Sequence, residues 1–73
     1  MKNTKKKSRI ILSNNMKKLR NKMNLTQEEL SYRSGLHRTS ISSVERGERN
    51  ISIDALEKIA QAFNVPLHKL LEE

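Results

Sequence analysis

The chain predicts an all-α domain, a compact bundle of five short helices, and three observations carry that reading. Apolar residues recur at three- and four-residue intervals in each periodic segment, and no alternating strand pattern occurs. Thr26 and Ser52 stand where helix caps belong, and Gly35 and Gly47 stand where helices should stop. Only 73 residues are available, so every element must be short and the core marginal. The chain has no Cys, hence no disulfide and no thiolate cluster, which suits a reducing cytoplasm.

Met1 to Arg9 is polar, holds five cations and lacks apolar periodicity, so residues 1–9 are expected to be a disordered basic arm. A folded domain should occupy residues 10–73. Ile10-Ile11-Leu12 is too short an apolar run for a signal peptide, and no membrane-spanning run exists in the sequence. Leu12, Met16, Leu19 and Met23 repeat at i, i+4, i+7 and i+11, which predicts a first helix from about Arg9 to Met23.

Thr26-Gln27-Glu28-Glu29 fits a capping box, flanked by Leu25 and Leu30 at the places of a hydrophobic staple. A second helix should run from about Gln27 to Ser34 and stop at Gly35. A third should begin near His37 or Arg38 and end at Gly47. Two helices joined by a short turn containing Gly form a helix-turn-helix unit. On its second helix, Ile41, Val44 and Glu45 share one side, while Thr39, Ser43 and Arg46 face roughly the other, with Ser42 beside them and Arg38 at the entry. A merely solvated face would carry long Glu and Lys residues. Thr39, Ser40, Ser42 and Ser43 are poor helix formers whose hydroxyls can meet base edges or phosphates.

Ser52 should cap a fourth helix with Asp54 in its first turn, and Ile53, Leu56, Ile59, Ala60 and Phe63 should form its buried stripe. Asn64 can close that helix. Pro66 suits the first turn of a fifth, with Leu67, Leu70 and Leu71 along one side. Those three leucines are candidates for a dimer interface, since a terminal amphipathic turn gains by packing on a second subunit.

The net charge is +7 and unevenly spread. Residues 1–49 hold 13 Lys and Arg against 4 Asp and Glu, whereas residues 50–73 hold 2 against 4. A polyanion is therefore expected on one side of the molecule. Double-stranded DNA suits it best, because with one Phe and one Tyr there is no aromatic platform for stacking single strands or RNA bases, nor a broad aromatic face for a membrane surface.

The whole pattern resembles the phage-repressor/Cro family, also called XRE-type helix-turn-helix regulators, over about Asn15 to Leu71. Lys18-Leu19-Arg20, Leu25-Thr26-Gln27-Glu28-Glu29-Leu30, Ile41-Ser42-x-x-Glu45-Arg46-Gly47 and Leu56-x-x-Ile59-Ala60-x-Ala62-Phe63-x-Val65 carry the likeness. The run from His37 to Asn50 also looks like the controller proteins of restriction-modification operons. The resemblance implies a lambda-repressor-like fold and a cytoplasmic homodimer that regulates transcription from a pseudo-palindromic DNA operator. It implies base contacts from Arg38, Thr39, Ser42 and Ser43, and phosphate contacts from Gln27, Ser40, Arg46, Arg49 and Asn50. It implies a structural salt bridge between Arg20 and Glu45. Ser40 departs from controller-like relatives, which often carry an aromatic residue there, and His37 is a weaker cap than Ser, Thr or Asp. An antitoxin of a toxin–antitoxin pair, or a phage repressor/Cro-like switch, would share this chemistry and differ in neighbouring genes.

No cofactor, metal, small-molecule ligand or enzymatic activity is expected. His37 and His68 are far apart without acidic ligands at metal spacing, and there is no nucleophile elbow, catalytic carboxylate pair or phosphate-cradling glycine loop.

Overall fold

Among the described residues, four α-helices and a closing 3-10 helix build the domain: α1 (Lys7–Lys22), α2 (Gln27–Ser34), α3 (Arg38–Glu45), α4 (Ile53–Phe63) and the 3-10 helix Leu67–Leu71. This computed structural model describes residues 7–48 and 50–73. Residues 1–6 of the expected arm lie outside the described residues, as does Arg49. Residues 7–9, assigned to the arm from sequence, instead form the first turn of α1.

Local chemistry sets the boundaries of α2 and α4. Glu29 N–H donates to Thr26 Oγ1 at 3.0 Å, and Thr26 N–H donates to Glu29 Oε1 at 2.8 Å, which completes the capping box. Helix α2 ends at Gly35, whose φ of 78° is a left-handed conformation that a side chain would resist. At α4, Ala55 N–H donates to Ser52 Oγ at 3.1 Å, and Asn64 closes the helix at φ 60°.

Eleven buried residues from every helix form one core: Leu12, Met16, Leu25, Leu30, Ile41, Val44, Leu56, Ile59, Ala60, Phe63 and Leu70. Three of the expected stripe positions differ. Met23 is 36% exposed because it falls beyond the end of α1, where the chain turns through Asn24 at φ 56°. Ile53 is 65% exposed, since the first residue of α4 precedes the turn that packs inward. Leu70 is wholly buried while Leu71 is 43% exposed, so the terminal leucines do not share one outward face.

The fifth α-helix is absent. Pro66 is extended, at φ −69° and ψ 154°, so it precedes the last element instead of starting it. Five residues then remain before Glu72 turns to extended backbone, and so short a piece closes with the tighter i to i+3 pattern. Asn15 on α1 holds this segment in place, its Nδ2 donating to the carbonyls of Leu70 at 2.8 Å and Glu72 at 2.9 Å.

Leu70, wholly buried, and Ile53, exposed, should respond differently to truncation. Leu70→Ala should cost ~2–5 kcal/mol in chemical denaturation through the cavity it leaves. Ile53→Ala should stay within about 0.5 kcal/mol, as for other exposed sites. Comparable losses would contradict the packing described.

Candidate nucleic-acid interface

The turn between α2 and α3 is held by serines. Ser31 Oγ donates to the carbonyl of Leu36, and Leu36 N–H donates to Ser34 Oγ at 3.2 Å. Leu36 packs against the core, fixing the angle at which α3 leaves the turn. Helix α3 itself has only eight residues, and His37 provides no side-chain cap bond. Its sequence, Arg-Thr-Ser-Ile-Ser-Ser-Val-Glu, has low intrinsic helix propensity, so tertiary contacts must hold it.

Those contacts come from its inner side. Ile41 and Val44 are buried in the core and Glu45 is buried beside them. The Glu45 carboxylate accepts from Arg20 Nε at 2.7 Å, from Arg20 NH2 at 3.0 Å and from Gln27 Nε2 at 3.1 Å. Arg20 NH1 also donates to the carbonyl of Leu25 at 2.9 Å. One carboxylate thus joins α1, the α2 entry and α3. Ser13 adds a further tie, its hydroxyl donating to the Glu45 carbonyl at 2.5 Å. Hydrogen bonding to Glu45 pushes the Arg20 pKa above its ordinary value; burial opposes this and the Coulomb attraction adds to it. Because the folded value is raised, this contribution is present below the usual arginine range as long as the Glu45 carboxylate carries its charge. It fades as pH climbs through the raised value.

The outer side of α3 is polar. Arg38 and Thr39 are exposed, and Ser40, Ser42 and Ser43 are half-buried. Among the described residues Arg38 makes no hydrogen bond or ion pair, and its guanidinium stands at the helix entry. Ser43 Oγ donates to the Thr39 carbonyl at 2.8 Å. Arg46, at the C-cap of α3, donates from Nε to Glu48 Oε1 at 3.0 Å, from NH1 to Ser42 Oγ at 2.5 Å and from NH2 to Ser43 Oγ at 3.4 Å.

The structure therefore divides the residues singled out from sequence. Arg38, Thr39, Ser42, Ser43 and Arg46 lie together along one side of α3 and its end. Ser40 instead lines a small depression with Leu36, Asn50 and Ser52, toward α4. Gln27 turns its amide to Glu45, so it belongs to the buried carboxylate's network as well as to the surface. Asn50 is exposed and accepts from Arg9 NH2 at 3.0 Å. The Arg9–Asn50 bond spans 41 residues, and no local sequence signal marks it. Nor does any local signal mark Ser13.

The helix-turn-helix family, HTH_3, matches residues 16–70 of the chain. The chain belongs to that family. Among relatives of this helix-turn-helix protein, control protein C.SmaI of Serratia marcescens is 51% identical over 61 residues, covering 84% of this chain and 73% of that one. Control protein C.BamHI of Bacillus amyloliquefaciens is 42% identical over 65 residues, 88% of this chain and 80% of the relative. The crystal structure of the restriction-modification controller protein C.AhdI from Aeromonas hydrophila is similar at a TM-score of 0.82 and 34% identity, covering 85% and 94% of the two chains. That of the restriction-modification controller protein C.Esp1396I is similar at 0.84 and 36%, covering 92% and 90%. Among the described residues no helix is long and apolar enough to cross a membrane.

The clamp on α3 can be tested by stability. Arg20→Ala leaves Glu45, whose side chain is 4% exposed, without its cation and should cost ~3–5 kcal/mol. For a domain of this size that is a large share of the total, so partial unfolding should be visible by circular dichroism at room temperature. A loss under about 1 kcal/mol would show that the pair is dispensable.

Proposed function

We propose that this helix-turn-helix protein is a cytoplasmic, homodimeric regulator of transcription that reads a pseudo-palindromic operator in a restriction-modification operon. The observation that carries the reading is the outer side of α3, where Arg38 and Thr39 are exposed at the helix entry beside Ser42 and Ser43. The likeness to control proteins C.SmaI and C.BamHI supports the operon context.

In this reading α3 lies in the major groove. Arg38 presents paired donors suited to guanine O6 and N7, Thr39 offers a hydroxyl and a methyl group, and Ser42 and Ser43 add adaptable polar contacts. Gln27, Arg46, Arg49 and Asn50 meet backbone phosphates on either side, with Ser40 a marginal contributor given its position toward α4. Two such helices about 34–36 Å apart would match successive turns of the duplex. In this reading the second subunit packs on the terminal leucines, of which Leu71 is exposed, Leu67 half-buried and Leu70 buried in the single chain.

The experiment is selection of bound fragments from random DNA followed by footprinting. It should return one two-fold-symmetric site. On that site Arg38→Ala should lose ~1–3 kcal/mol of binding free energy while binding to random DNA changes little. Equal losses on both would remove Arg38 from base reading. Sedimentation of the free protein should give twice the mass of one chain.

A further inference from the structure

The acid at the end of the reading helix is in an unexpected place. Helix α3 finishes at Glu45, Arg46 caps it, and Gly47 takes φ 71°. That left-handed step turns the backbone so that Glu48 N–H donates to the Ser43 carbonyl at 3.1 Å, bringing residue 48 back against the helix. Glu48 Oε1 then lies 3.0 Å from Arg46 Nε. A helix C-terminus disfavours a carboxylate, so helix stability gives no reason for an acid here. Neither does the expected ligand, because a carboxylate beside the reading face repels phosphate.

The pair lies on the reading side. The same Arg46 guanidinium that contacts Glu48 also donates to Ser42 and Ser43. The two charged side chains are 53% and 51% exposed, so the contact is weak and exchangeable. A phosphate arriving at Arg46 must displace Glu48 or share the guanidinium with it.

We infer that Glu48 is a specificity-determining residue: it competes with DNA phosphate for Arg46, lowering affinity for arbitrary sequence more than for the operator. Sequence-independent binding depends almost wholly on phosphate contacts, so occupying one cation removes a large fraction of it. Operator binding also draws on base contacts from the same helix, and seating α3 fully brings phosphate against Arg46 often enough to displace the carboxylate. The inference rests on the DNA-reading function proposed above and adds a residue that opposes binding.

The test uses the full chain and its selected operator, with a scrambled duplex of equal length as the arbitrary sequence. Glu48→Gln should raise affinity for the scrambled duplex by about two- to fivefold, the range an exposed ion pair can supply. Affinity for the operator should rise less, so the ratio between them falls. On the scrambled duplex, the slope of log affinity against log salt should steepen by roughly 0.9, one further phosphate contact. In an Arg46→Ala background the same substitution should lose most of its effect, as a double-mutant cycle requires of a coupled pair. An unchanged ratio would overturn the inference, as would an undiminished effect without Arg46. If the unaltered protein selects no sequence at all, the DNA-reading function itself falls, which is a distinct outcome.

Discussion

Everything on the binding side hangs from the Glu45 carboxylate. Helix α3 is two turns long, built from residues that favour other conformations, and lacks a side-chain cap. Two aliphatic residues bury against the core, but they cannot fix rotation about the helix axis by themselves. The carboxylate does so, by accepting bonds from Arg20 on α1 and Gln27 at the start of α2. The two-point Arg20 contact is directional, so it sets orientation as well as distance. Its desolvation cost makes its net stabilisation modest, whereas loss of one partner leaves a stranded charge. The gain lies in the rigid relation between the α2 entry and the outer side of α3, the two surfaces that the proposed function sets against one duplex.

That outer side is largely hydrogen-bonded before any ligand arrives. Arg46 lies along the helix over Ser42 and Ser43, and Ser43 satisfies the carbonyl of Thr39. Such bonds are local and exposed, and water or a ligand can replace them at little cost. Arg38 stands outside this arrangement. Among the described residues α3 therefore has an unengaged cation at its entry and an engaged one at its exit, an asymmetry along the helix.

Much of this was legible in the sequence because it depends on neighbours in the chain. The Thr26 and Glu29 reciprocal cap, the stop at Gly35 and the Asn64 closure all follow from residues a few positions apart. The Arg20 and Glu45 pair, 25 residues apart, was accessible only through family resemblance. Periodicity identifies the core stripes but not where they end: Met23 and Ile53 fit the spacing, yet Met23 lies just past α1, Ile53 opens α4, and both face out. Over the final five residues Leu-rich spacing cannot distinguish an α-helix from the 3-10 turn that forms there. Bonds from side chains to distant carbonyls were invisible: Ser13 to Glu45 and Asn15 to Leu70 leave no trace in composition or spacing.

On α3, Ile41, Val44 and Glu45 are buried and supply its contacts to the core. Of the remaining five positions Arg38 and Thr39 are exposed, and Ser40, Ser42 and Ser43 are half-buried polar residues outside the core. Under the proposed function, substitutions at Arg38, Thr39, Ser42 and Ser43 should therefore change what the helix contacts at little cost to a marginal core.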